Sequence, residues 1–197
     1  MLFRSIRAGR RKSAAPLNFT LGIHMLSFGS SEKVVSLEDF PQSSVGAPCP
    51  AVIATEHSLI LFFLVEEQDP DWDGTTVRVV DIDSPEEHCA VIHFERPSTH
   101  SLGPPNDEAF GGHRLARKGL QPYGAFEVIN SEWIQLLEKI NSVHHRHDRE
   151  RFLEGKRHFI ITFHDSVFEC VARGYKFSLM PGSIKDLLVS HAGQIDA

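Results

Sequence analysis

Cysteine is scarce. Cys49, Cys89 and Cys170 stand far apart in 197 residues, with no C-x-x-C pair. That spacing supports neither a zinc knuckle nor a disulfide framework, and it fits a reducing compartment. Tyrosine and tryptophan number two each against fourteen phenylalanines, so the aromatic content is core packing material and not a stacking platform for bases. The longest unbroken apolar run, residues 59–65 (LILFFLV), falls far short of the roughly 18 residues a membrane span needs. No transmembrane helix and no membrane partner are therefore expected. Neither G-x-G-x-x-G nor G-x-x-x-x-G-K-[ST] occurs, so dinucleotide and P-loop binding have no support. The G-x-S-x-G of a nucleophile elbow is missing too.

Acidic residues are also missing from one end. None precedes Glu32, whereas Arg4, Arg7, Arg10, Arg11 and Lys12 all fall before it. From Glu32 onward fifteen basic residues face 26 acidic ones, a net charge of −11. A body so acidic is a poor match for nucleic acid, because phosphate neutralisation needs clustered Lys and Arg. Residues 1–31 are expected to be a basic, disordered leader, and residues 32–197 a single domain of a size that buries a substantial core. An Arg-rich, acid-free leader also suits organelle targeting, while Met25 offers a second start. The expected location is cytoplasmic, with a targeted organelle as the alternative.

Strand signals dominate the first half. Residues 33–37, 51–54, 59–65, 75–82 and 88–94 read as strands. Run 59–65 is apolar at every position, so both of its faces are expected to be buried, as in a central strand. Residues 95–121 carry Pro97, Gly103, Pro104, Pro105, Gly111, Gly112 and Gly119 and are expected to hold no regular element, forming a long loop of the kind that is often functional. Residues 123–129 resume strand character. A helix over about 131–143 follows, opened by Asn130 or Ser131, with Trp133, Ile134, Leu137, Ile140 and Val143 on its apolar side. Phe152 and Leu153 suggest a short piece ending at Gly155.

Residues 158–172 read as a hairpin turning at Asp165 and Ser166. His158, Ile160, Thr162 and His164 then share a mixed face expected to meet solvent or a cleft. Residues 175–179 extend the sheet, and Ser183 with Asp186 caps a final helix over about 184–191. Strands without regular helix alternation indicate an α+β fold with a largely antiparallel sheet.

Twelve histidines invite a metal reading, since neutral imidazole binds transition metals readily. The run His144, His145, Arg146, His147 and Asp148 reads better as a solvated helix end, where cationic side chains suit the negative pole. A second grouping joins the long loop, with His100, Asp107, Glu108 and His113, to the hairpin, with His164, Asp165 and Glu169. His100, Asp107, Glu108, His113, His164 and Asp165 are the expected ligand-binding residues. His113, His164 and Asp165 would be the holders if a divalent transition metal is the cofactor. A nucleophilic role for Cys170 with His164 as base is disfavoured, because strand alternation puts Cys170 on an apolar face beside Phe168. The function expected is binding of a small molecule or protein partner without catalysis. The alternative is a metal-dependent hydrolase in which loop and hairpin residues hold the ion and a spare carboxylate acts as base.

Overall fold

The computed structural model describes residues 32–67, 75 and 79–193. Among the described residues nine strands and three α-helices follow one another: β1 (Lys33–Ser36), β2 (Ala51–Ala54), β3 (Leu59–Leu64), β4 (His88–Glu95), β5 (Thr99–Gly103), β6 (Ala125–Ile129), α1 (Glu132–Asn141), α2 (Arg149–Leu153), β7 (Arg157–Thr162), β8 (Val167–Ala172), β9 (Gly174–Pro181) and α3 (Ile184–Ala192). The fold is α+β with antiparallel sheet, as expected. The strands, however, divide between two sheets: a five-stranded one in the order β1-β6-β7-β8-β5 and a four-stranded one in the order β2-β3-β4-β9.

Alternation explains why the sheets meet face to face. Leu59, Leu61 and Phe63 of β3, with Ala90, Ile92 and Phe94 of β4, pack against Phe159, Ile161 and Phe163 from β7 and its end, and against Phe168, Cys170 and Ala172 of β8. The opposite side chains of β3, Ile60, Phe62 and Leu64, contact Ile184 and Leu187 of α3. β3 is thus sealed on both sides, which accounts for a strand with no polar position. The far face of the five-stranded sheet holds Phe126, Val128, Ile160 and Val167 under Phe110, Leu115 and Leu120 from the 104–121 segment. Four consecutive layers result: α3, sheet, sheet, and a loop cover.

Several boundaries match expectation. Ser131 caps α1 by accepting from the Ile134 amide, and Ser183 caps α3 by accepting from Asp186. Gly155, closing the α2 turn, has φ +68°, a left-handed conformation that costs glycine least. Other readings need correction. Residues 95–121 do contain regular structure. β5 pairs with β8 from Thr99 opposite Val171 to Gly103 opposite Val167, and 3-10 turns occupy Phe110–Gly112 and Ala116–Lys118. Its composition hid β5: an edge strand reading THSLG has one apolar residue larger than glycine, and it is a strand because β8 offers a ladder. β9 joins the second sheet, beside β4. Of the expected strand 75–82, residues 76–78 lie outside the described residues, and Thr75 and 79–82 are not in a strand. Ile140 and Val143 of the expected apolar side are exposed; only Ile134 of α1 is fully covered, because the short helix touches the sheet near its start.

Candidate functional site

The 104–121 segment reaches the hairpin turn: the Asp107 amide donates to the His164 carbonyl at 2.9 Å. At this point four side chains gather. The Tyr123 hydroxyl donates to Asp107 Oδ2, His164 Nε2 lies 3.9 Å from the same oxygen, and His164 Nδ1 lies 3.0 Å from Asp165 Oδ1. Tyr123 is aimed by its backbone, held at φ +57°, where a non-glycine residue is strained; Gln42 Nε2 donates to its carbonyl at 3.1 Å. The hydrogen bond from Tyr123 holds the Asp107 carboxyl below its usual range, and Asp107 in turn raises the Tyr123 hydroxyl. Asp165 and then Asp107 raise the His164 imidazole. Asp107 Oδ1 is shielded from solvent and makes no hydrogen bond of normal geometry, although the nearby Glu108 amide also favours the charged carboxylate. Beyond Tyr123 in the chain, Gly124 lines a hollow of about 240 Å³ together with Leu37, Phe40, Gln42, Phe126 and Ile161.

A second centre lies further along the hairpin, on the covered face. Glu169 Oε1 is 3.2 Å from His113 Nε2, and its Oε2 is 2.9 Å from His158 Nε2 and 3.2 Å from an Arg114 nitrogen. The proton positions follow from the neighbours. The Leu115 amide donates to His113 Nδ1 at 3.2 Å, so the ring's Nε2 carries the proton that faces Glu169. The Ile134 amide occupies Ser131 Oγ, whose own proton has His158 Nδ1 as acceptor at 2.8 Å. His158 therefore donates from Nε2. Arg114 continues to Glu32 at 3.0 Å, and Glu32 also accepts from Lys118 Nζ and the Glu132 amide, each at 2.8 Å. Burial by itself would raise the Glu169 carboxyl; the two imidazole donors and Arg114 reverse this and hold it well below the ordinary carboxylate range.

The expected site residues are accordingly divided. Asp107, His164 and Asp165 come together, and Glu108, exposed, adds its charge to that surrounding His164. His113 is drawn away to Glu169 with both nitrogens engaged. His100 sits exposed on β5 opposite Cys170. Among the described residues no group of three or more His, Cys, Asp or Glu side chains is arranged to hold a metal ion. Of the expected mixed face, His158, Ile160 and Thr162 meet neither solvent nor a cleft, because the loop covers them and leaves them fully buried, while the His164 side chain at its end is partly exposed.

Ser131, His158, Glu32 and Arg114 were not singled out for a site. Their partners lie 27 residues apart for Ser131 and His158 and 82 for Glu32 and Arg114, separations that no local spacing encodes. One signal was present: Glu169 stands between Val167 and Val171 on an otherwise apolar face, so a buried acid there required partners. Cys170 is fully buried among phenylalanines, with its thiol pushed far up by burial, as its face predicted. The His144–Asp148 run does follow α1, and His147 pairs with Glu138 at 2.9 Å. No family model matches the chain, and no curated protein or solved structure matches it.

Proposed function

We propose that this chain is a binding domain without catalysis, taking a small molecule or a protein segment where the 104–121 segment lies on the β7–β8 turn. The observation that carries the reading is Asp107, whose Oδ2 is fixed by Tyr123 while its Oδ1 makes no hydrogen bond of normal geometry. A ligand offering an N–H or O–H group supplies the hydrogen bond that oxygen lacks, and Asp165 and Glu108, whose charges raise the His164 imidazole, set the surrounding field. The reactive-looking groups elsewhere support binding over chemistry. Ser131 spends its hydroxyl on a helix cap and an imidazole, Glu169 spends both oxygens on three donors, and Cys170 is an inert core thiol.

Ligand-observed NMR against a panel of small amines, amides and alcohols tests this. Hits bound by the native chain and lost in Asp107→Asn and His164→Ala support the site. Hits that persist unchanged in both variants, or panel amides that the native chain hydrolyses, overturn it.

A further inference from the structure

Asp165 turns one end of the β7–β8 hairpin; at the other end, roughly 20 Å away for strands of this length, lies a hollow of about 470 Å³ between the α1–α2 connection and the strand ends. Arg146, Arg151, Lys156 and Arg173 line it, with Asp148 and Glu154. Elsewhere the described cations are mostly matched: Lys118, Arg149, Arg157, Lys176 and Lys185 each have a carboxylate oxygen within 4.0 Å. The four in the hollow have none among the described residues. Neither Asp148, whose Oδ1 caps α2 by accepting from the Arg151 amide at 3.1 Å, nor Glu154 forms an ion pair with them, and His147 is paired with Glu138.

One of the four cations is held in place without an acid. Lys156 Nζ donates to Ser98 Oγ at 2.8 Å and lies 4.7 Å over the centre of the Phe152 ring. The exposed Arg173 side chain passes beside Gly155. Burial, and then the charge of Arg173, depress the Lys156 ammonium, so an anion entering the hollow relieves a repulsion that the fold maintains.

We propose that this hollow binds a small, multiply charged oxyanion of the phosphate-ester class. Guanidinium groups suit it through paired N–H donors and the ammonium as a point charge. The volume accommodates a phosphate with a modest organic remainder. A long polyanion is disfavoured, because the chain from Glu32 onward carries a net charge of −11 and repels strands leading out of the hollow. This site stands independently of the one at Asp107, and neither experiment bears on the other.

Calorimetric titration of the full chain with pyrophosphate at pH 7 tests the proposal, with a dT20 oligonucleotide as competitor class. Arg151→Gln and Arg173→Gln alter exposed side chains, and Arg117→Gln, an exposed cation outside the hollow, is the control. Saturable one-to-one binding is expected with Kd below about 1 mM, weakened about 10-fold by each hollow variant and less than about 2-fold by the control. Absence of saturation by about 10 mM, equal weakening by Arg117→Gln, or tighter binding of dT20 that also depends on Arg173 would each overturn it.

Discussion

His158 Nε2 and Glu169 Oε2 lie 2.9 Å apart across adjacent strands, with the imidazole fully buried. Register puts Ile160 opposite Glu169 and His158 opposite Val171, so the contact is the diagonal neighbour on one face. From this pair bonds run to Ser131 at the head of α1, to His113 in the cover segment, and through Arg114 to Glu32 ahead of β1. One carboxylate therefore ties three separate parts of the chain to the outer face of a sheet.

Glu169→Gln should destabilise the fold by about 2–3 kcal/mol, since an amide oxygen cannot replace a carboxylate that accepts from three donors. Urea unfolding at pH 7 measures it. The pH dependence has a definite sign. A carboxyl held below its ordinary value of 4.5 contributes stability that is complete above that value and fades as pH falls toward the folded-state value. The native chain should therefore lose stability below about pH 4.5 more steeply than Glu169→Gln. Parallel acid limbs in the two proteins would remove Glu169 from the account.

The two helix-capping serines should differ. Ser183→Ala loses an N-cap and a bond at 2.8 Å to the carboxylate of exposed Asp186, which water can replace, and should cost about 1 kcal/mol. Ser131→Ala loses a cap and also strands His158 Nδ1 in a dry site, so about 2 kcal/mol is expected. Denaturant midpoints of both variants check the difference, and equal costs would mean the serine–imidazole bond contributes nothing.

Thiol chemistry should be confined to one position. Cys89 is fully buried, with burial raising its thiol to about 11, and Cys170, also fully buried, is raised well above the ordinary thiol range. Cys49 is half-buried. Native protein treated with a thiol-disulfide reagent should yield no more than one rapid equivalent, and all three after unfolding. Rapid labelling at Cys170, located by peptide mapping, would contradict the sandwich core.

How much was legible depended on whether a residue's partner was local. β2, β3, β4 and the hairpin could be read because their apolar pattern is set by what they bury, and the caps at Ser131 and Ser183 because an N-cap and its amide are three residues apart. β5 could not be read, since its strand character comes from β8. The division into two sheets was hidden for a related reason: β8 and β9 are separated by Arg173 alone, yet pair in different sheets. At the site, the approach of the loop to the hairpin was foreseen, while its splitting into Asp107 with His164 and His113 with Glu169 depends on a depth of docking that composition does not carry.

Elemental analysis of the full, tag-free chain, purified without chelator, tests the central claim of binding without metal chemistry most directly. The account predicts transition-metal content far below one equivalent, unchanged by His113→Ala or His164→Ala, because His113 spends its nitrogens on Glu169 and the Leu115 amide. One tightly held equivalent of zinc, manganese or iron, lost in either variant, would contradict it and restore the metal-dependent hydrolase.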